Sequence, residues 1–134
     1  MNNEEVQEWF EIADSDLDSA KILNEAVRKH HEIICYHCAQ AVEKYLKGYL
    51  VFNDIIPEKT HNLVRLNTKC IEFDNDFQNI HRTCGILDKY ATDIRYQKKY
   101  DVTEADTTLA ITAVEKIKNF KPIVDLRLIV ATDC

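Results

Sequence analysis

Cys35-Tyr36-His37-Cys38-Ala39-Gln40-Ala41-Val42-Glu43-Lys44-Tyr45-Leu46-Lys47-Gly48 reads as one helix with two faces. At 100° per residue, Ile34, Cys38, Ala41, Val42, Tyr45, Leu46 and Tyr49 gather on one side, and an apolar stripe of that length must be covered by other parts of the chain. Beside it His37, Gln40 and Lys44 fall at i, i+3 and i+7, which places three groups able to hold an anion or a base on one flank.

The same helical period recurs outward from this segment. A first helix is predicted from about Asn3 to Arg28, with Trp9, Ala13, Ala20, Leu23 and Val27 on its inner face. Asp16 lies within that face, and a carboxylate there calls for a cation or several donors from another helix. Lys29-His30-His31-Glu32 reads as a solvated turn leading into a second helix over about 32–53. Pro57 disfavours helix at Ile56, and Thr60 offers a cap oxygen for a third helix that turns Leu63, Leu66, Cys70 and Phe73 inward. Asp74-Asn75-Asp76 makes the next turn, and a fourth helix runs through Gly85 with Phe77, Ile80, Cys84, Leu87 and Ala91 facing in. Thr103 caps a fifth, supported by Glu104 and Asp106 in its first turn; Leu109, Ala110, Ala113, Ile117 and Phe120 face inward and Pro122 ends it. The tail 123–134, rich in Ile, Val and Leu, fits a docked helix, a partner-binding segment or an appended artefact.

Two glycines and two prolines among 134 residues leave little of the punctuation that sheets, hairpins and phosphate-cradling loops require. The expected fold is therefore all-α: an up-and-down antiparallel four-helix bundle with a shorter fifth helix, in a single domain over 1–134 whose core spans about 4–121. A formal charge of −6 argues against a duplex DNA ligand, although Lys44 and Lys47 with Arg95, Lys98 and Lys99 are candidates for a local basic patch. Five cysteines, an odd count with no secretory segment before them, point to a reducing cytoplasm, and no apolar run is long enough to suggest a membrane span. Cys35 and Cys38 have CxxC spacing, but no second CxxC or HxxxH accompanies them and Cys38 belongs to the apolar stripe, so neither a metal nor another cofactor is expected.

The end of the fourth helix is the second unusual region. Tyr90-Ala-Thr-Asp93-Ile-Arg95-Tyr96-Gln-Lys-Lys-Tyr100-Asp concentrates aromatic, cationic and acidic side chains without an apolar stripe, so packing alone does not account for it. Arg95 is suited to grip a phosphate bidentately or to pair with Asp16 or Asp93, Tyr96 to stack on a base, and Lys44 to supply a point charge. Tyr90, Tyr96 and Tyr100 also suit a dimer interface, as do the small residues Ala41 and Gly48.

The order of these features resembles the HEPN family, small helical domains of bacteria and archaea also found in some larger eukaryotic proteins. The matching residues are Trp9, Ala13, Asp16-Leu17 and Ala20; the Cys35 to Gly48 stretch; Lys59-Thr-His61-Asn-Leu63; and Asp93-Ile-Arg95-Tyr96. The resemblance implies an antiparallel helical bundle, usually homodimeric and often encoded beside a minimal nucleotidyltransferase in toxin and antitoxin pairs. Some members are ribonucleases in which an Arg is followed after four to six residues by His. Arg95 stands in the Arg place, but the window after it holds Tyr100, Asp101 and Val102, and no histidine follows it anywhere in the chain. Another form of the site reads Arg-Tyr-Pro, where this chain has Arg95-Tyr96-Gln97. Metal-free RNA cleavage needs groups that move protons near neutral pH, and a tyrosine with an ordinary pKa of about 10 is a poor base. The resemblance thus implies a noncatalytic module that binds a nucleotide, a phosphorylated ligand or RNA through His37, Gln40, Lys44, His61, Arg95 and Tyr96. Two alternatives are a ribonuclease with a degenerate site, in which Arg95 stabilises the phosphorane and His37, His61 or His81 replaces the missing histidine, and a pure dimerisation protein.

Overall fold

The computed structural model describes residues 2–91 and 101–132. Among the described residues six α-helices run in the order α1 (Asn3–Asn24), α2 (His31–Phe52), α3 (Leu63–Ile71), α4 (His81–Asp88), α5 (Glu104–Lys118) and α6 (Lys121–Thr132), with a 3-10 turn at Asn75–Ile80 before α4. No strand occurs among the described residues, and the all-α class follows. No helix among them is long and apolar enough to cross a membrane.

Helix α2 is the centre of the molecule. Every residue of its predicted apolar stripe is buried, and so are Gln40, Glu43 and Lys47 beside it. Side-chain contacts fix the directions of its neighbours. Phe10 and Asp14 of α1 meet Tyr45, while Asp16 meets His37, so α1 and α2 are antiparallel. Phe77 packs on Tyr49, and Ala91 at the far end of that segment meets Gln40, which makes the 3-10 turn and α4 antiparallel to α2 as well. Helix α5 returns beside α4, with Lys116 against Thr83, and antiparallel to α1, with Lys21 against Glu115 and Lys118 against Asp14. The short α3 covers the gap between α2 and α4.

Gly48 permits the tight α1–α2 crossing: a Cβ there would stand 2.8 Å and 2.9 Å from two ring carbons of Phe10 and 3.1 Å from Cβ of Trp9. Its surface is thus filled within the chain, as is that of the fully buried Ala41, which removes both from the expected dimer-forming face. Helix α2 ends where Asp54 takes φ 61° and the Ile55 and Asp54 amides donate to Leu50 and Val51 carbonyls. This left-handed stop, usually built with glycine, is tolerated by the short polar side chain of Asp.

Several expected details shift. Helix α1 stops at Asn24, so Val27 lies beyond it and is fully exposed, and the inner face is Val6, Phe10, Ala13, Leu17 and Ala20. His31 is not a solvated turn residue, because its Nδ1 hydrogen-bonds the buried Thr107 hydroxyl at 2.9 Å. Asn62, two residues after Thr60, caps α3 by accepting the Arg65 amide at 2.9 Å, while Thr60 Oγ1 accepts the Asn62 amide. Phe73 falls past the end of α3 and Leu109 falls off the inner stripe of α5; both are exposed. Thr103 and Asp106 form the reciprocal cap of α5. Pro122 does not end that helix: α5 closes at Lys118, and Pro122 occupies the first turn of α6, where its missing N–H costs no hydrogen bond. The tail is a docked helix with Ile123, Leu126 and Val130 buried.

Candidate functional site

Helix α2 carries Gln40, Glu43, Lys44 and Lys47 at i, i+3, i+4 and i+7, a run of polar side chains on one face of a helix that is otherwise enclosed. Glu43 is the pivot. Only 2% exposed, its carboxylate takes Lys44 Nζ at 3.3 Å and Lys47 Nζ at 3.1 Å on Oε2, and His61 Nδ1 at 2.7 Å on Oε1. Lys44 Nζ also donates to Gln40 Oε1 at 2.7 Å, and Gln40 in turn donates to the Ala91 carbonyl. Burial alone would push the Glu43 carboxyl up, but the His61 hydrogen bond, the charge of Lys44 and the Lys47 contact together hold it below the usual carboxylate range.

His61 arrives from the segment before α3. Because its Nδ1 faces a carboxylate, that nitrogen carries the proton, which leaves Nε2 as the ring nitrogen available to a ligand. The side chain is 58% exposed and stands with Lys59, Thr60, Asn62, Asp88 and Ala91 around an open cleft of about 410 Å³. Asp88 Oδ1 accepts the Leu63 amide at 2.8 Å, so the first turn of α3 is already satisfied by a carboxylate from α4.

Of the residues expected to bind, Lys44 and His61 therefore meet at Glu43, and Gln40 is joined to them through Lys44. His37 does not join them; it pairs with Asp16 at 3.0 Å, one turn or more toward the start of α2. Among the described residues the partner of Asp16 is thus His37 of α2. Asp93, Arg95, Tyr96, Lys98, Lys99 and Tyr100 lie outside the described residues, as does the expected pairing of Asp16 with Arg95. Tyr90 is buried, with its ring beneath Lys89.

Comparison with known families returns the HEPN domain, whose family model matches residues 6–124, from the first turn of α1 into α6. The chain belongs to the HEPN family. No curated protein and no solved structure matches it.

Sequence reasoning overlooked two parts of this HEPN domain. The first is Glu43 with Lys47 and Asp88; the signal was the Glu43/Lys47 spacing of an i, i+4 ion pair inside a run of buried positions. The second lies at the opposite face of α2. Tyr45 donates its hydroxyl to Asp14 at 2.5 Å, Arg127 grips the same carboxylate with two N–H bonds of 2.9 Å, and Lys118 stands at 3.9 Å. Burial opposes ionisation of Asp14, but these partners hold its carboxyl below the usual range, and burial with the Asp14 contact drives the Tyr45 phenol upward. This cluster clasps α6 to α1, with Gln7 Nε2 donating to the Val130 carbonyl at 2.8 Å. The CxxC cysteines belong to the core: Cys35 and Cys38 are buried and unpaired, and burial pushes the Cys35 thiol up to about 11 and that of Cys38 up as well.

Proposed function

We propose that this HEPN domain is a noncatalytic module that binds a nucleotide or other phosphorylated ligand at the His61 cleft, acting as a homodimer beside a minimal nucleotidyltransferase, as in toxin and antitoxin pairs. The observation that carries the reading is the charge at the cleft. Lys59 and His61 line it, and the Glu43 carboxylate that holds His61 also gathers Lys44 Nζ at 3.3 Å, a side chain 16% exposed. Glu43 fixes Lys44 and His61 in place before any ligand arrives, which lowers the ordering cost of binding an anion. Arg95 follows Ala91 of the cleft by four residues in sequence and is the proposed bidentate phosphate contact, with Tyr96 beside it for a base.

Titration calorimetry with ATP, GTP and a short RNA tests the proposal. Binding of at least one is expected, and Lys44→Ala and Arg95→Ala should each weaken it by about tenfold, the effect of losing one charge-assisted hydrogen bond. Binding of none, with or without the partner, or affinity unchanged in both variants, refutes it. The ring nitrogen that His61 presents to the cleft favours one second reading, a degenerate ribonuclease. That reading requires metal-independent RNA cleavage abolished by Arg95→Ala, whereas the module proposed here leaves RNA intact.

A further inference from the structure

Helix α1 holds the whole excess charge of the protein. Seven carboxylates and one lysine lie within Asn3–Asn24, a net charge equal to the −6 of the chain, so the remaining residues balance. Two of the carboxylates are answered within the fold, Asp14 by Arg127 and Lys118, and Asp16 by His37. Glu4, Glu5, Glu8, Glu11 and Asp18 have no ion-pair partner among the described residues. The helix dipole favours Glu4 and Glu5 in the first turn, but its effect ends there. Glu8 stands at i+4 from Glu4 and i+3 from Glu5, and Glu11 at i+3 from Glu8, spacings at which like charges destabilise a helix. The stability of α1 therefore does not account for this face.

Within the acidic surface lies an apolar groove. Glu5, Glu8, Trp9 and Ile12 line an open hollow of about 370 Å³. They fall at i, i+3, i+4 and i+7, the spacing by which one helix packs against another, yet Ile12 is 48% exposed and both glutamates are open to solvent. The floor is fixed from within. Trp9 Cβ lies against Gly48, and Lys47, a buried side chain, stands 5.9 Å over the indole, so the ring meets the groove in a set position. All four lining residues come from one helix, which would hold a small molecule on one side only, whereas small-ligand sites enclose most of their ligand. The shape suits a segment of another protein.

We infer that this groove docks a cationic amphipathic helix of a partner protein, with an aliphatic residue between Trp9 and Ile12 and lysine or arginine side chains against Glu5 and Glu8. The sign of the charge selects the occupant. On this face the carboxylates repel nucleic acid and anionic lipid surfaces, and they repel the same face of a second copy as well. A basic helix meets attraction along α1 instead, and Glu4, Glu11 and Asp18, outside the groove, add steering that salt screens. The groove shares no lining residue with the His61 cleft, so this contact does not depend on the phosphate-binding reading.

Trp9 is the only tryptophan in the chain, and its fluorescence reports on the groove directly. The probe is a synthetic helical peptide free of tryptophan, with leucine at i, i+3, i+4 and i+7 and lysine on either side. One control carries glutamate for each lysine, and another carries serine for each leucine. The probe should change the Trp9 emission saturably and bind more weakly as salt rises, with each control weaker by about tenfold or more. Glu8→Lys and Ile12→Ser, both at exposed positions, should each lower the affinity of the probe by about tenfold. Glu72→Lys makes the same change of net charge at an exposed position outside the groove and should cost less than about threefold. Trp9 emission indifferent to the probe, or a control that binds equally well, overturns the inference. So does an equal loss in Glu72→Lys, which would show diffuse attraction alone. Sedimentation at rising protein concentration covers the other occupant: Trp9 emission that shifts as copies associate, with association lost in Ile12→Ser, assigns the groove to a second copy and overturns it too.

Discussion

Glu43→Gln is the sharpest perturbation of this molecule, because it preserves shape and removes one charge. A carboxylate offers two accepting oxygens, and here one serves His61 while the other serves both lysines. An amide has one accepting oxygen and an NH2. With His61 mostly exposed, its ring can change tautomer and accept from the amide, so the amide oxygen stays with the ammonium groups and the hydrogen-bond count is nearly kept. What is lost is the countercharge. The side chains of Lys44 and Lys47 are only 16% and 9% exposed, and breaking a buried pair by removing one partner costs about 3–5 kcal/mol. Lys44 retains Gln40 and both stems allow the ammonium groups to lean toward water, which places the cost at the lower end, about 3 kcal/mol. An unfolding entropy of roughly 2.1 cal/mol/K per residue amounts to roughly 0.28 kcal/mol/K for a chain of this length, so Tm should fall by roughly 10 °C.

The pH dependence follows in sign. The Glu43 carboxyl is held below its ordinary range in the folded protein, so its contribution is complete above the unfolded value of about 4.3 and is lost as pH falls through the lower folded value. Thermal melts by circular dichroism should therefore show a constant gap between the two proteins from about pH 8 to 5, narrowing below about pH 4. A gap of less than about 2 °C at pH 7, or one that stays constant into acid, would show that Glu43 is not the electrostatic centre described here.

Two further outcomes rest on packing and on α6. Gly48→Ala gains about 1 kcal/mol of helix propensity but pushes a methyl onto Phe10, whose ring is wedged between Tyr45 at 5.6 Å and Arg127 at 5.3 Å. Overpacking costs about 1–3 kcal/mol, so urea unfolding should show a net loss of about 1 kcal/mol, and a variant more stable than the parent contradicts the tight α1–α2 crossing. Arg127→Met removes the two-bond clasp on Asp14 while Ile123, Leu126 and Val130 stay buried. Hydrogen exchange in α6 should accelerate by about tenfold or more with α2 unaffected, and unchanged protection of α6 would assign its docking to the apolar residues alone.

How far the sequence could be read depended on whether a residue's fate was decided within its own turn of chain. The stripe Ile34 to Tyr49 was legible because every member follows one helical period and all are buried. The Thr103 cap was legible because Asp106, three residues on, completes it. Thr60 and Asn62 both offer an oxygen before Leu63, and local chemistry alone does not choose between them; the choice falls to where helical dihedrals begin. Leu109 fits an inward apolar stripe by residue type, yet it is Thr107 that is buried, its hydroxyl engaged by His31 and within 3.8 Å of Cys35 Sγ, and α5 is rotated accordingly.

The candidate site follows the same rule with longer reach. Gln40 and Lys44 were visible from spacing, since both lie on α2 and touch each other. Glu43 was not, because what makes it central is His61, 18 residues further along the chain, and the Asp14 cluster closes only when Arg127 arrives from 113 residues away. A charged residue in an apolar run is costly to bury alone, so Glu43 next to Ala41, Val42 and Tyr45 already implied partners beyond its own helix. Lys47 supplies one of them at i+4, but a buried carboxylate has two oxygens to satisfy, and a single lysine leaves room for a second donor. The second oxygen is therefore the place where a distant group had to enter, and His61, close to that helix only through the turn before α3, is the group that does.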